Sequence, residues 1–145
     1  MTAIKTPSQP VPSFLNDLNR ALCNEQLLHS FDFSVLFLDL EYNLLACGSS
    51  RSGVLCHYPQ SISKLHFLDT ENSPLGKHPG SVFSEVKENW KSGDLMLLSS
   101  FPIPASQISH RADFFLLDSK ILAKKMLDAI APSAEEELLL AIKRL

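Results

Sequence analysis

Glycine is scarce here, at 5 of 145 residues, and tryptophan occurs once. With 45% hydrophobic and 20% charged residues, the chain is neither a low-complexity nor a disordered polar sequence. There is no excess of positive charge: 13 Lys and Arg stand against 16 Asp and Glu, a net charge of −3. Phosphate backbones select basic surfaces, so nucleic acid is excluded as the main partner. No apolar run approaches the roughly 20 residues that span a bilayer, so no membrane role is expected. Met1 to Pro12 carries three prolines but no apolar stretch, and does not read as a secretory signal. The expected setting is the cytoplasm.

Cysteine is nearly absent too. Cys23, Cys47 and Cys56 are odd in number and lack CxxC spacing. Two of them can pair with one left over, but three reduced, buried apolar side chains are the simpler expectation. The five histidines (His29, His57, His66, His78, His110) show neither HxxxH nor a cysteine at metal-ligand spacing, which speaks against zinc.

What remains has the size of one domain, large enough to bury roughly two-thirds of its unfolded surface. Residues 1–13 read as a Pro-rich tail or linker, since proline favours extended chain before it. Residues 14–145 read as a single α+β domain. Ser13 is a candidate N-cap for an amphipathic helix from Phe14 to about His29, with Phe14, Leu18, Ala21, Leu22 and Leu28 at three- and four-residue steps. From Phe33 the pattern changes to short apolar runs: Phe33–Leu40, Leu44–Cys47, Val54–Tyr58, Ile62–Leu68, Val82–Lys91 and Leu95–Leu98. They predict five to six mostly antiparallel strands. Ser99 to Asp113 reads as loop. Two helices are expected at the end: Ser119–Ala131, stopped by Pro132, and Ala134–Leu145, opened by the capping box Ser133-Ala134-Glu135-Glu136.

The order of these pieces carries a resemblance. Leu18-Asn19-Arg20-Ala21-Leu22 precedes Phe37-Leu38-Asp39-Leu40, then Ala46-Cys47-Gly48, Pro74-Leu75-Gly76 and Gly93-Asp94-Leu95-Met96-Leu97-Leu98. Across some 130 residues this series resembles the C-terminal two-thirds of the metal-dependent Ser/Thr protein phosphatases of the sporulation stage II protein E (SpoIIE) type. The resemblance implies part of a type 2C phosphatase sandwich. It also implies chemistry in which two Mn²⁺ or Mg²⁺ ions, held by aspartates, activate a bridging water.

At the positions that carry ligands in that family, this sequence departs. The half bearing the first ligands has no counterpart here. Where a Thr-Asp-Gly triplet should follow the Gly-Asp strand, the chain reads Ser100-Phe101-Pro102. The last ligand belongs to an Asp-Asp strand after the final helix, and with Ala134–Leu145 read as helix no such strand is expected. Asp39 and Asp94 are expected at a strand end and in a turn, and Asp69, Glu71 and Asp113 as solvated loop acids. Ser49 stands where the family often has His, but no nucleophile elbow surrounds it. Gly48-Ser49-Ser50-Arg51-Ser52-Gly53 lacks the Lys-Ser/Thr of a phosphate loop.

No catalytic, cofactor-binding or metal-ligating residue is therefore assigned, and no cofactor is expected. The function implied is a phosphatase-like module lacking the metal-binding aspartates, used to bind a regulatory protein in partner-switching signalling. The natural partner would be a small phosphorylated regulator of the anti-sigma-antagonist kind, with a homodimer also open. The alternative is a fragment or reduced form of an active Mn/Mg-dependent phosphatase.

Overall fold

Two prolines sit in the first turn of the first helix. In the computed structural model, which describes residues 9–25, 29–104, 118–130 and 138–145, α1 spans Pro10–Asn24. It starts four residues ahead of the position expected from Ser13, whose amide bonds instead to the Gln9 carbonyl at 3.2 Å. Proline suits a first turn because its missing N–H would have had no intrahelical partner anyway. The helix gets its cap from far along the chain: the Val11 amide donates to Glu85 Oε2 at 3.1 Å. A carboxylate there also complements the positive end of the helix dipole. Val11, Leu15 and Asn19, four residues apart, form its buried edge.

Seven strands follow: β1 Ser34–Asp39, β2 Leu44–Ser49, β3 Leu55–Tyr58, β4 His66–Phe67, β5 Val86–Asn89, β6 Leu95–Ser99 and β7 Leu139–Lys143, with α2 at Ser119–Ile130 between the last two. All strand pairs are antiparallel. They form two sheets, ordered β1-β2-β5 and β4-β3-β6-β7. The β1–β2 hairpin runs in register from Ser34↔Ser49 to Asp39↔Leu44. Its turn is fastened by Asp39 Oδ1, which accepts from the Glu41 and Tyr42 amides at 3.0 Å each.

The segments 62–68 and 82–91 are shorter as strands than their composition suggested. The larger correction is at the end of the chain. Where a second C-terminal helix was expected over 134–145, Leu139–Lys143 is a strand paired to β6 from Ser99↔Leu139 to Leu95↔Lys143. A five-residue apolar stretch fits either period, and pairing with the apolar β6 decides it over local propensity. The capping box at 133–136 lies outside the described residues.

Alternation within the strands sorts the core into layers. Leu36 and Leu38 of β1, Leu45 and Cys47 of β2, Leu55 of β3, Met96 and Leu98 of β6 and Ile142 of β7 meet between the sheets around Trp90. Val35, Phe37 and Ala46 face outward, where Val11, Leu15, Leu18 and Leu22 of α1 cover them with Leu75 and Phe83. On the far side Cys56, Leu95, Leu97, Leu139 and Ala141 lie under Leu122 and Met126 of α2. The molecule is a four-layer helix–sheet–sheet–helix sandwich, so each sheet is covered on both faces. Among the described residues, no helix is long and apolar enough to cross a membrane.

Candidate functional site

Two polar assemblies interrupt this apolar stack, one at each end of the strands. The first lies where β2 and β6 finish. The loop after β2 folds back so that Ser49 Oγ donates to the Arg51 carbonyl at 2.7 Å. The Ser49 amide and carbonyl are both held by Thr70 Oγ1, at 2.9 and 2.8 Å. Ser49 is fully buried and its hydroxyl is spoken for, which makes it a structural serine. Arg51 Nη1 donates to the Ser100 carbonyl at 2.8 Å. The Ser100 amide donates to the Leu138 carbonyl at 2.9 Å, and the Leu138 amide donates to Ser100 Oγ at 2.8 Å. Ser99 Oγ donates to the Phe101 carbonyl. Asp32, Phe33, Ser34, Arg51, Val54, Ser99 and Ser100 line a small depression of about 170 Å³ here.

This is the place where the sequence pattern puts a metal ligand, at Phe101, and the structure adds a finding. β7 begins beside Ser100, so a terminal strand does exist, directly after Glu135, Glu136 and Glu137 in sequence. Those three glutamates lie outside the described residues. The described side chains do not fit a divalent pair: hydroxyls, a phenyl ring and a guanidinium surround the depression, and Asp32 is its one carboxylate. Asp32 Oδ1 accepts from Ser50 Oγ at 3.0 Å. Nor do any three His, Cys, Asp or Glu side chains among the described residues converge to hold a cation.

The second assembly escaped sequence reasoning. His57 of β3 is 1% exposed and lies between two carboxylates. Its Nδ1 is 3.0 Å from Glu88 Oε2 of β5, in the other sheet, and its Nε2 is 3.1 Å from Asp94 Oδ2. His66 of β4 reaches the same Glu88 oxygen at 3.4 Å, and Trp90 packs against the His57 ring at 5.9 Å between centroids. Asp94 also accepts from the Gln60 amide at 3.1 Å and the Lys91 amide at 3.0 Å. Its turn role was legible in Gly93-Asp94. Its burial and its histidine partner were not, because His57 lies 31 and 37 positions from Glu88 and Asp94 and only strand register unites them. With His57 bonded to a carboxylate from each side and Glu88 coming from the other sheet, the group reads as a polar clamp between the sheets.

The other carboxylates singled out in sequence stay apart. Asp39 fastens its hairpin turn, and Asp69 accepts from the Gly53 amide at 2.8 Å. Glu71 is an exposed loop acid, while Asp113 lies outside the described residues. Cys47 and Cys56 are free and buried, and Cys23 is free and half-buried. Burial, helped by Glu88 and Glu85, pushes the Cys47 thiol up to about 12. Burial, with a smaller push from Asp69, raises Cys56 as well.

Comparison with solved structures places this sandwich. The RsbU and RsbW domains of a Mycobacterium tuberculosis protein superpose with a TM-score of 0.71 at 16% identity, over 94% of this chain and 43% of that one. RsbX in complex with magnesium gives 0.68 at 14% identity, over 92% and 64%. The phosphatase domain of the cell-fate determinant SpoIIE from Bacillus subtilis, presoaked with manganese, gives 0.57 at 12% identity, over 99% and 75%. The chain has part of the fold of a SpoIIE-type phosphatase domain. It spans between 43% and 75% of the length of these three neighbours. No protein-family model matches the sequence, and no curated protein matches it either. At these identities the phosphatase fold is what is shared.

Proposed function

We propose that this chain is a phosphatase-like regulatory module that binds a protein partner and does not itself hydrolyse phosphoesters. The observation that carries the reading is at the end of β6. A two-metal site needs carboxylate oxygens there. This chain has Phe101 at that position, and Arg51 brings a positive charge onto the neighbouring Ser100 carbonyl. A guanidinium repels divalent cations, and a phenyl ring offers them no oxygen.

The likeness to RsbU and SpoIIE domains supports a partner class. RsbU-like and SpoIIE-like domains suggest partner-switching control, so a small regulator phosphorylated on serine is the natural ligand, met in the cytoplasm. Incubating the purified chain with a phosphoserine peptide, with and without Mn²⁺ or Mg²⁺, should release no phosphate above the blank. Metal-dependent release overturns the proposal.

A second reading is favoured by β7. The family pattern has a strand after its last helix, β7 is a strand after α2, and Glu135-Glu136-Glu137 precede it in the sequence. That supports a fragment or reduced form of an active Mn/Mg-dependent phosphatase, with further ligands from chain not described here. Under this reading Glu136→Gln and Glu137→Gln lower a measurable metal-dependent turnover; under the first there is none to lower.

A further inference from the structure

Two open sheets have four edge strands, and among the described residues the outer side of β1 carries no partner strand. The register of β1 with β2 fixes which backbone groups face inward, together with two bonds at its start: the Ser50 amide donates to the Phe33 carbonyl at 3.0 Å and the Phe33 amide donates to Ser50 Oγ at 2.9 Å. Phe33, Val35 and Phe37 face β2, so the N–H and C=O groups of Ser34, Leu36 and Leu38 point away from it. Among the described residues no strand pairs with that side. Natural edges are usually blunted by charge, proline or a bulge. Ser34-Val35-Leu36-Phe37-Leu38 has none of these.

Apolar surface waits on both sides of that edge. On the helix side a groove of about 490 Å³ runs along β1, lined chiefly by Pro10, Val11, Phe14, Val35 and Phe37, and Phe14 is 53% exposed. On the inner side Leu140 of β7 stands opposite Leu98, whose side chain points between the sheets. Leu140 therefore faces inward too, yet is 55% exposed. A strand added to β1 would extend the sheet over it.

We infer that this edge pairs with the same edge of a second copy, β1 against β1 in antiparallel register centred on Leu36. That register is self-complementary. It sets Leu36 against Leu36 and Ser34 against Leu38 on the inner face, and Val35 against Phe37 twice on the groove face, an aromatic opposite a β-branched residue each time. Within the β1 ladder no like charges stand opposite each other, and the one charged residue of the groove, Asp17, belongs to α1. The two Asp39 side chains fall at opposite ends of the ladder, each at the end where the other copy carries Arg51, which lines the same depression as Ser34. The interface is isologous and closes, as two-fold pairing requires. It does not depend on whether the module hydrolyses phosphoesters.

Sedimentation of the full chain from micromolar to millimolar concentration should show a monomer–dimer equilibrium. Ser34→Pro should weaken the dimer about tenfold or more, since it removes an outward N–H and costs the β1–β2 ladder nothing. Hydrogen exchange on the unmodified chain gives an independent reading, even if that variant folds poorly. The Ser34, Leu36 and Leu38 amides should slow with concentration, while Val35 and Phe37 stay protected throughout. A monomer at all concentrations, with the edge left to a strand of a different protein, overturns the inference. So does a dimer in which those three amides exchange at the monomer rate, or one that a folded Ser34→Pro chain still forms equally well.

Discussion

The side chain of Asn19 clasps the backbone at Gly76. Asn19 Oδ1 accepts from the Gly76 amide at 2.8 Å, and Asn19 Nδ2 donates to the His78 carbonyl at 2.9 Å. Two short motifs that sequence reading could only place in order, Leu18-Asn19-Arg20 and Pro74-Leu75-Gly76, are thus one structural unit. The bond locks α1 to the long connection between β4 and β5. Gly76 holds a positive φ of 81°, a conformation that glycine adopts at little cost.

Replacing Asn19 by Leu fills a similar volume but leaves the Gly76 amide, half-buried, and the His78 carbonyl, at an exposed residue, without their side-chain partner. A buried group that loses its partner costs about 1–3 kcal/mol and one that water can reach costs less, so urea unfolding should show Asn19→Leu destabilised by about 1–3 kcal/mol. A loss below about 0.5 kcal/mol would show that the clasp is ornamental.

The clamp between the sheets should be cooperative. A carboxylate only accepts hydrogen bonds, so His57 links Glu88 and Asp94 through protons on the ring or on a carboxyl. His57→Leu leaves both carboxylates without that partner and should cost about 2–4 kcal/mol. Asp94→Asn keeps one acceptor oxygen for the Gln60 amide at Oδ1 but sets an NH2 group against the Lys91 amide, which bonds to Oδ2, and should cost about 1–3 kcal/mol. A double-mutant cycle should return a coupling of about 1 kcal/mol or more; strict additivity would mean that the two residues act separately.

Thiol chemistry should separate the cysteines. Under native conditions at neutral pH, iodoacetamide should label Cys23 ahead of Cys47 and Cys56, since the thiolate is the nucleophile and burial suppresses it. Linkage gives the sign of the pH dependence. The Cys47 proton is held to about 12 in the fold against an ordinary thiol value of 9.0, so the unfolded chain loses it first. The stabilising contribution is whole below 9 and is lost as pH rises toward 12. Cys47→Ala should flatten the alkaline limb of the stability profile; an unchanged limb would assign it to other groups.

Much of the fold was legible because apolar alternation marks strands wherever one face is buried. The hairpin Phe33–Cys47, the strand after Gly93-Asp94 and the helix at Ser119 all carried that signal. Leu139–Lys143 did not, because its apolar residues fit a helical stripe as well as a strand and only β6 decides between them. The start of α1 was hidden by prolines that read as linker yet suit a first turn. At the candidate site, Phe101 in place of a carboxylate was visible in sequence. Arg51 at the Ser100 carbonyl and His57 between two carboxylates were not, since both depend on contacts between distant segments.

The most direct test of the regulatory reading is calorimetric titration of Mn²⁺ into the purified chain. With Phe101 at the end of β6 and Arg51 beside it, the account predicts heats no larger than dilution and no saturable binding. Saturable micromolar binding, accompanied by Mn²⁺-dependent phosphate release, would contradict it and place a working metal site at the start of β7.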